Sequence, residues 1–206
     1  MSERAIFLDK DGTLIRDVPY NVEPGQIELY PETGEALRRL GAAGFRLIVI
    51  SNQSGVAHGY FEEQALTFVE VQLQVLLRPY GVSLDGFYYC PHHPGGSVPA
   101  YSITCACRKP EPGLLTRAAA DHDLNLEESW MIGDILNDVE AGNRAGCRTV
   151  LLEHGNETEW LTGSFRTPTY RARHMLDAAE FILKHTTQSV SKPHNNLSAS
   201  FEQEVS

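Results

Sequence analysis

An apolar run that ends in two closely spaced carboxylates restricts the fold of this chain more than any other feature. Residues 5–8 read Ala-Ile-Phe-Leu and are followed directly by Asp9, Lys10, Asp11 and Gly12. A short continuous apolar run is typical of a strand that is buried on both faces, as in a parallel sheet. Because residues i and i+2 of an extended chain point to the same face, we expect Asp9 and Asp11 to meet one ligand at the carboxyl end of this strand.

The composition and charge of the chain narrow its possible partners. The chain has 206 residues, 42% of them hydrophobic, which is enough for one domain with a sizeable core. Its formal net charge of −10 argues against nucleic acid and against an anionic membrane, because both favour a basic surface. A small anionic substrate remains compatible with this charge, since a single site can be locally positive.

The pattern of apolar residues also bears on location. No apolar run reaches the length of a membrane span, and the first residues enter a strand without a signal-peptide pattern. A cytoplasmic location is therefore the expectation. In a reducing compartment the four cysteines are expected to be metal ligands or free thiols before disulfides.

Strand patterns and helix patterns alternate along the chain. Further strands are predicted at residues 45–51, 86–90, 130–134 and 148–152, and helices at about 31–43, 62–80, 112–122, 137–145 and 174–184. This alternation predicts an α/β fold, a doubly wound Rossmann-like parallel sheet with helices on both faces. Residues 156–172 are predicted to be irregular. One domain is expected over residues 1–186, followed by a disordered tail over 187–206, which is polar and poor in apolar residues.

Polar residues stand where the predicted strands end. Ser51, Lys109 and Asp134 fall at or beside such ends, and in this architecture those ends share one crevice with Asp9 and Asp11. Carboxylates suit a hard cation such as Mg²⁺, while a hydroxyl, backbone amides and a lysine suit phosphate oxygens. The set predicts phosphoryl transfer. The Asp-x-Asp-Gly sequence taken alone is equally compatible with a solvated turn after a buried strand.

A second group of ligand-type residues lies between the third strand and the following helix. Cys90, His92, Cys105 and Cys107 offer three thiolates and one imidazole, a set that tetrahedral Zn²⁺ accepts. The spacing is tighter than in the usual zinc finger, so the spacing alone leaves free thiols in a loop as an alternative. A filled four-ligand site is structural, and we expect it to staple the loop over residues 90–107.

These motifs resemble those of the haloacid dehalogenase superfamily. The resemblance rests on Asp9-x-Asp11-Gly12-Thr13, Ser51, Lys109, and Gly133-Asp134 with Asp138. Within that superfamily, three segments resemble the D-glycero-D-manno-heptose 1,7-bisphosphate 7-phosphatases, and the histidinol-phosphate phosphatases share much of the pattern. The three segments are residues 51–55, 90–94 and 107–110. The expected fold has no large cap domain.

The resemblance implies a role for each matching position. Asp9 is implied as the nucleophile and a Mg²⁺ ligand, and Asp11 as the general acid and base that also ligates Mg²⁺ through its carbonyl. Ser51 and Lys109 are implied to hold the phosphoryl group, and Asp134 to be a further Mg²⁺ ligand. The remaining implied roles are substrate contacts at Asp17, Tyr20, Asn52, Gln53, Ser54 and Arg108, and a zinc site at Cys90, His92, Cys105 and Cys107.

The expected activity follows from this resemblance. It is Mg²⁺-dependent hydrolysis of the 7-phosphate of heptose 1,7-bisphosphate through an aspartyl-phosphate, by a monomer whose partner is a small phosphorylated sugar. A histidinol phosphate or another small sugar phosphate is the alternative substrate, and an inactive zinc-stapled binding domain is the alternative class. The chain departs from the resembled enzymes at two positions, since they usually have Arg where His58 stands and Lys where Ile135 stands.

Overall fold

The described part of the chain, residues 2–158 and 160–187 of a computed structural model, forms one parallel sheet of six strands. The strands lie in the order β3-β2-β1-β4-β5-β6. This arrangement confirms the predicted doubly wound sheet. The strands are β1 (Arg4–Leu8), β2 (Phe45–Asn52), β3 (Gly86–Cys90), β4 (Trp130–Gly133), β5 (Arg148–Leu152) and β6 (Tyr170–Ala172).

Helices connect these strands. They are α1 (Thr33–Ala42), α2 (Gly55–His58), α3 (Ala65–Leu77), α4 (Gly113–Asp121), α5 (Leu136–Ala145) and α6 (Met175–Thr187). The short helix α2 was not predicted, and α3 begins later than the helix expected from residue 62. The cause is local, because Gly59 takes a left-handed φ of 72° and the Tyr60 amide donates to the Gly55 carbonyl at 2.9 Å, which ends α2.

Each face of the sheet is covered by its own helices. On β1, Ile6 and Leu8 pack in the core with α1, α3 and α6, whereas Ala5 and Phe7 pack on the opposite side with α4 and α5. All four of these side chains are fully buried, as expected for a strand without polar alternation. The unbroken apolar run therefore marks the centre of a two-sided core.

The edge of the sheet differs from the prediction. Residues 156–172 were expected to be irregular, but Tyr170–Ala172 form β6, which pairs in parallel with Val150–Leu152. A strand of three residues is too short to give a periodic signal. Tertiary packing defines it, because the Tyr170 ring stacks on Phe181 of α6 with 3.9 Å between centroids.

The C-terminal region is described only as far as α6. This helix was predicted over residues 174–184 and extends to Thr187. The tail predicted over residues 187–206 otherwise lies outside the described residues. Within the described ranges, no helix combines the length and apolarity needed to cross a membrane.

The strand order determines where a site can form. The chain runs from β1 outward through β2 to β3, and then returns across the sheet to β4 on the other side of β1. The carboxyl ends of β1, β2 and β4 consequently lie side by side at the switch point of the sheet, where open α/β folds bind ligands. No separate cap domain stands over this crevice in residues 2–158 and 160–187.

Candidate active site

A buried lysine joins two carboxylates at the switch point. Lys109 Nζ forms ion pairs with Asp9 Oδ1 and, at 2.6 Å, with Asp138 Oδ1, and it donates to the Ile50 carbonyl at 2.9 Å. Asp9 follows β1, Lys109 lies in the loop between β3 and α4, and Asp138 lies in the first turn of α5. Their exposed fractions are only 3% for Lys109, 8% for Asp9 and 0% for Asp138. Charges this deeply buried persist only when they are paired.

A third carboxylate, Asp134, lies beside this pair. Oxygen atoms of Asp9, Asp134 and Asp138 all lie within 4.8 Å of one another. We call these three carboxylates and Lys109 the carboxylate cluster. Burial, followed by the charge of Asp138, raises the pKa of Asp134 to about 6, although hydrogen bonds from Asn156 and Thr13 oppose the rise.

The two members of the ion pair respond differently to burial. Burial raises the pKa of Asp9 well above its ordinary value, and the Lys109 charge opposes this rise without cancelling it. Burial alone would lower the pKa of Lys109, but Asp138 and Asp9 together raise it above the ordinary lysine value. Three carboxylates against one ammonium leave the cluster short of positive charge.

The donor chemistry of the carboxylate cluster therefore fits Mg²⁺. Carboxylate oxygens are the ligands that this hard cation prefers, and it would supply the missing positive charge. Asp9 and Asp134 are the members that agree with the predicted ligand set. Asp138 is already engaged by Lys109 and by its own helix, because its Oδ2 accepts from the Ile135 amide at 3.3 Å.

Asp134 is held from two sides. Thr13 Oγ1 donates to Asp134 Oδ1 at 2.9 Å, and Asn156 Nδ2 donates to Asp134 Oδ2 at 2.8 Å. Gly12 leaves room for this arrangement, since a Cβ at Gly12 would lie 2.1 Å from Asp134 Oδ2. Gly12 also has a φ of 80°, which favours glycine. The glycine after Asp11 is therefore required both by the turn and by the close approach of Asp134.

Asp11 does not join the carboxylate cluster with its side chain. Its Oδ1 accepts from Lys10 Nζ at 2.5 Å, and its Oδ2 accepts from Gln53 Nε2 at 3.0 Å. The extended backbone needed for both carboxylates to meet one ligand ends here, because the amides of Leu14 and Ile15 turn back to the Lys10 carbonyl. Asp11 lies beside Asp9 in the same crevice, but its carboxylate points to a separate position.

The predicted phosphate-binding residues come together at the end of β2. Ser51 is buried, and its Oγ accepts from Gln53 Nε2 at 2.8 Å. The side chain of Asn52 makes two bonds with the backbone of Lys109, donating to its carbonyl and accepting from its amide, each at 3.0 Å. Asn52 therefore fixes the backbone from which the Lys109 side chain reaches Asp9.

A cleft opens beside Asp11. Its volume is about 260 Å³, and its lining residues come from the loop after β1 and from the turn after β2. Five of the six predicted substrate contacts line it, namely Asp17, Tyr20, Asn52, Gln53 and Ser54. Burial, followed by the charge of Asp11, raises the pKa of Asp17. The sixth predicted contact, Arg108, lies outside this lining set and donates from Nη1 to the His92 carbonyl at 3.2 Å.

The cysteines and the histidine of the loop form a second cluster. Ligand atoms of Cys90, His92, Cys105 and Cys107 all lie within 4.8 Å of one another, and we call them the thiol–imidazole cluster. The sulfur of Cys107 lies 3.1 Å from that of Cys90 and 3.2 Å from that of Cys105, and all three thiols are free. His92 turns Nδ1 toward them, 3.3 Å from Cys107 Sγ. Four soft donors that converge in this way fit tetrahedral Zn²⁺.

Some residues of the site have contacts that were not predicted from the sequence. Asp138 is part of the motifs that carry the family resemblance, but no function was predicted for it. A carboxylate in the first turn of a helix close to Asp134 could have indicated a place in the site. The contact of Lys10 with Asp11 could not be predicted from the sequence. In an extended chain the Lys10 side chain would point to the face opposite those of Asp9 and Asp11. His154 also belongs to the site, because its Nδ1 lies 2.9 Å from the Gly12 carbonyl.

Known proteins resemble this chain over most of its length. A family model described as HAD-hydrolase-like matches residues 106–178. The D-glycero-beta-D-manno-heptose-1,7-bisphosphate 7-phosphatase of Yersinia pestis is 40% identical over 148 residues, which are 72% of this chain and 79% of that protein. The protein of the same name in Escherichia coli strain K12 is 38% identical over 169 residues, 78% of this chain and 88% of that protein.

A solved structure also has a fold similar to that of this chain. It is a D,D-heptose 1,7-bisphosphate phosphatase from B. bronchiseptica, complexed with magnesium and phosphate. It superposes with a TM-score of 0.76 at 29% sequence identity, covering 88% of this chain and 99% of that one. The similarity therefore extends over nearly the whole of that solved chain.

Proposed function

The chain belongs to the family of HAD-like heptose-1,7-bisphosphate phosphatases and is a phosphatase, and from that premise we propose that it removes the 7-phosphate of D-glycero-D-manno-heptose 1,7-bisphosphate through an aspartyl-phosphate on Asp9. The observation that carries the proposal is the contact of buried Lys109 with Asp9, two residues before the Asp11 that lines the cleft. An ammonium in that position holds a carboxylate in place and offers positive charge to the oxygens of an incoming phosphate.

Asp9 is the nucleophile in this proposal. Its carboxylate directly follows β1, whose residues 5–8 are fully buried, and it is in contact with Lys109. In the first step an Asp9 oxygen forms a bond to phosphorus and the bond from phosphorus to the sugar oxygen breaks. The proton that the sugar oxygen needs comes from Asp11, which reaches the cleft but not the cluster.

The second step restores the enzyme. A water attacks phosphorus, Asp11 accepts its proton, and the bond between phosphorus and Asp9 breaks to release inorganic phosphate. Gln53 fixes one oxygen of Asp11 and the hydroxyl of Ser51 at once, so acid and phosphate contact share one support. Splitting the hydrolysis into two displacements replaces one difficult step by two easier ones.

Mg²⁺ and Zn²⁺ have separate places in the proposal. Asp9, Asp134 and the Asp11 carbonyl would hold Mg²⁺, which when bound polarises the phosphoryl oxygens. The thiol–imidazole cluster would hold Zn²⁺ as a structural ion, because all four of its ligand positions come from the protein. Lys109 and Ser51 bind the phosphoryl oxygens, and Asn52 keeps Lys109 in register.

The test is a substrate panel. The purified protein is supplied with Mg²⁺, and inorganic phosphate release is measured with the α and β anomers of heptose 1,7-bisphosphate, histidinol phosphate, hexose bisphosphates and a generic aryl phosphate. We expect the highest kcat/KM for one heptose anomer. A higher kcat/KM for histidinol phosphate, or no release from any compound, would contradict the proposal.

A further inference from the structure

Four aromatic or imidazole rings form a continuous group beside the substrate cleft. We call Tyr20, His58, Tyr60 and His93 the ring cluster. His58 is its centre, with its ring centroid 5.5 Å from that of Tyr60, 4.8 Å from that of His93 and 6.1 Å from that of Tyr20. Tyr20 and Tyr60 also meet edge to face at 4.6 Å. Such geometries are the preferred ones for aromatic pairs.

The ring cluster joins three separate parts of the chain. Tyr20 comes from the loop after β1, His58 and Tyr60 come from α2 and the residues after it, and His93 comes from the loop that carries the thiol–imidazole cluster. The ring cluster is therefore a side-chain connection between the substrate loop and the thiol–imidazole loop.

The backbone of His58 is firmly placed. Its amide donates to the Ser54 carbonyl at 3.0 Å, and its carbonyl accepts from Ser97 Oγ at 2.8 Å. The amides of Ser97 and Val98 both donate to the preceding carbonyl, that of Ala57, at 2.8 and 2.9 Å. These bonds fix the backbone of His58, so its ring can support the rings that contact it.

Tyr20 is the member that depends on this support. It lines the cleft, is 50% exposed, and has a φ of 56° in a turn where the Asn21 amide donates to the Val18 carbonyl. A non-glycine residue in the left-handed region is held there by its surroundings. The edge contacts with His58 and Tyr60 supply such surroundings on the outer side of the loop.

We infer that His58 is a positioning residue that holds the Tyr20 ring at the mouth of the cleft by ring contact, and so raises affinity for extended sugar phosphates over small phosphates. The inference rests on the proposed function for its substrate class. His58 acts through Tyr20, which its ring meets with 78° between the ring planes, and it also stacks on Tyr60, the other ring in contact with Tyr20. A substrate that does not reach past Asp11 does not meet Tyr20.

Three substitutions at His58 separate the ring from its nitrogens. His58→Phe keeps a flat ring, whereas His58→Gln keeps a hydrogen-bonding side chain without a ring, and His58→Ala removes both. The matched control is His122→Ala. His122 also makes an edge contact with a tyrosine ring, that of Tyr88 at 6.2 Å, but it lies near Gly86 at the opposite end of β3.

Steady-state kinetics supply the first readout. In His58→Ala and His58→Gln the KM for heptose bisphosphate should rise about fivefold while kcat stays within about twofold, and the KM for an aryl phosphate should not change. His58→Phe should restore the wild-type KM, and His122→Ala should behave as wild type. Restoration by His58→Gln and not by His58→Phe, or an equal change for both substrates, would overturn the inference.

Hydrogen exchange supplies a readout that does not depend on the substrate. Amides of residues 17–22 should exchange faster in His58→Ala and His58→Gln than in wild type or His58→Phe. If the wild type fails to hydrolyse heptose bisphosphate, the proposed function fails while this comparison still decides the role of His58. Unchanged exchange at residues 17–22 in His58→Ala would overturn the inference by itself.

Discussion

The carboxylate cluster and the thiol–imidazole cluster each gather charged or ionisable groups within a few ångströms, but only one of them contains its own cation. Lys109 stands among Asp9, Asp134 and Asp138 and offsets part of their charge. The thiol–imidazole cluster consists of three thiols and one imidazole, those of Cys90, His92, Cys105 and Cys107. We therefore expect the carboxylate cluster at the strand ends to depend less on a metal for its geometry than the thiol–imidazole cluster in its loop.

Burial raises pKa values in both clusters, in the carboxylate cluster those of Asp9 and Asp134. Burial raises the pKa of Cys90 well above that of an ordinary thiol, and burial also raises that of Cys107. Burial alone would raise the pKa of Cys105 as well, but contacts with Cys107 and Cys90 lower it. Without metal the thiols therefore share few negative charges, and metal binding must displace protons.

The largest expected effect comes from a substitution that changes the chemistry of the carboxylate cluster but keeps its shape. Asp9→Asn keeps the volume of the side chain but removes the carboxylate that we propose as the nucleophile, so kcat should fall on the order of 10⁴-fold or more. Phosphate release with Mg²⁺ is the measurement, and circular dichroism is the check on folding. A folded Asp9→Asn protein with substantial steady-state turnover would contradict the assignment of the nucleophile.

A second substitution tests whether Lys109 makes the carboxylate cluster independent of metal. Asp138→Asn leaves the buried ammonium with Asp9 as its remaining carboxylate partner, and breaking such a buried pair should lower the free energy of unfolding by about 2–4 kcal/mol. Urea denaturation in a chelator measures it. The control is Asp121→Asn, whose exposed contact with Arg117 spans 3.7 Å and should matter far less. Equal losses in both variants would mean that Lys109 does not depend on Asp138.

Metal removal tests whether the thiol–imidazole cluster depends on Zn²⁺. The protein should carry about one Zn²⁺ per chain, and chelation should open the loop over residues 91–107 to protease before the sheet unfolds. Elemental analysis and limited proteolysis measure this, and re-addition of Zn²⁺ in a weak buffer should release protons. Cys147→Ser is the control, because Cys147 is a buried free thiol outside the cluster. A zinc content near zero with full activity would refute the structural ion.

The smallest expected effect concerns Ile135, which stands between Asp134 and the first turn of α5. Its side chain is half-buried and apolar, so it offers no charged contact to a substrate. Ile135→Lys should raise kcat/KM for heptose bisphosphate by about tenfold and leave that for an aryl phosphate unchanged, since a charge-assisted hydrogen bond contributes about 1.5–3 kcal/mol. Equal gains for both substrates, or none for either, would mean that position 135 does not face the substrate.

Whether a site residue could be predicted from the sequence depended on the kind of element that carries it. Asp9, Ser51 and Asp134 lie at the ends of mostly apolar strands, and the parallel topology alone brings such ends together. Asp138 lies on a helix and joins the site through its first turn, which the strand argument does not include. Lys10 reaches Asp11 because the backbone stops being extended after Asp9, and β6 exists because Tyr170 stacks on Phe181. Tertiary contacts of this kind leave no periodic signal.

The paired bonds between Asn52 and the backbone of Lys109 have a consequence for how the intervening loop can change over evolution. The start of the loop is fixed by the Gln53 amide, which donates to the Cys90 carbonyl at 2.8 Å, and its end is fixed by Asn52. Insertions or deletions between these two anchors need not move Lys109 relative to Asp9. Related sequences can therefore carry a longer, a shorter or a chemically different loop for other substrates. The position of Lys109 relative to Asp9 would stay the same.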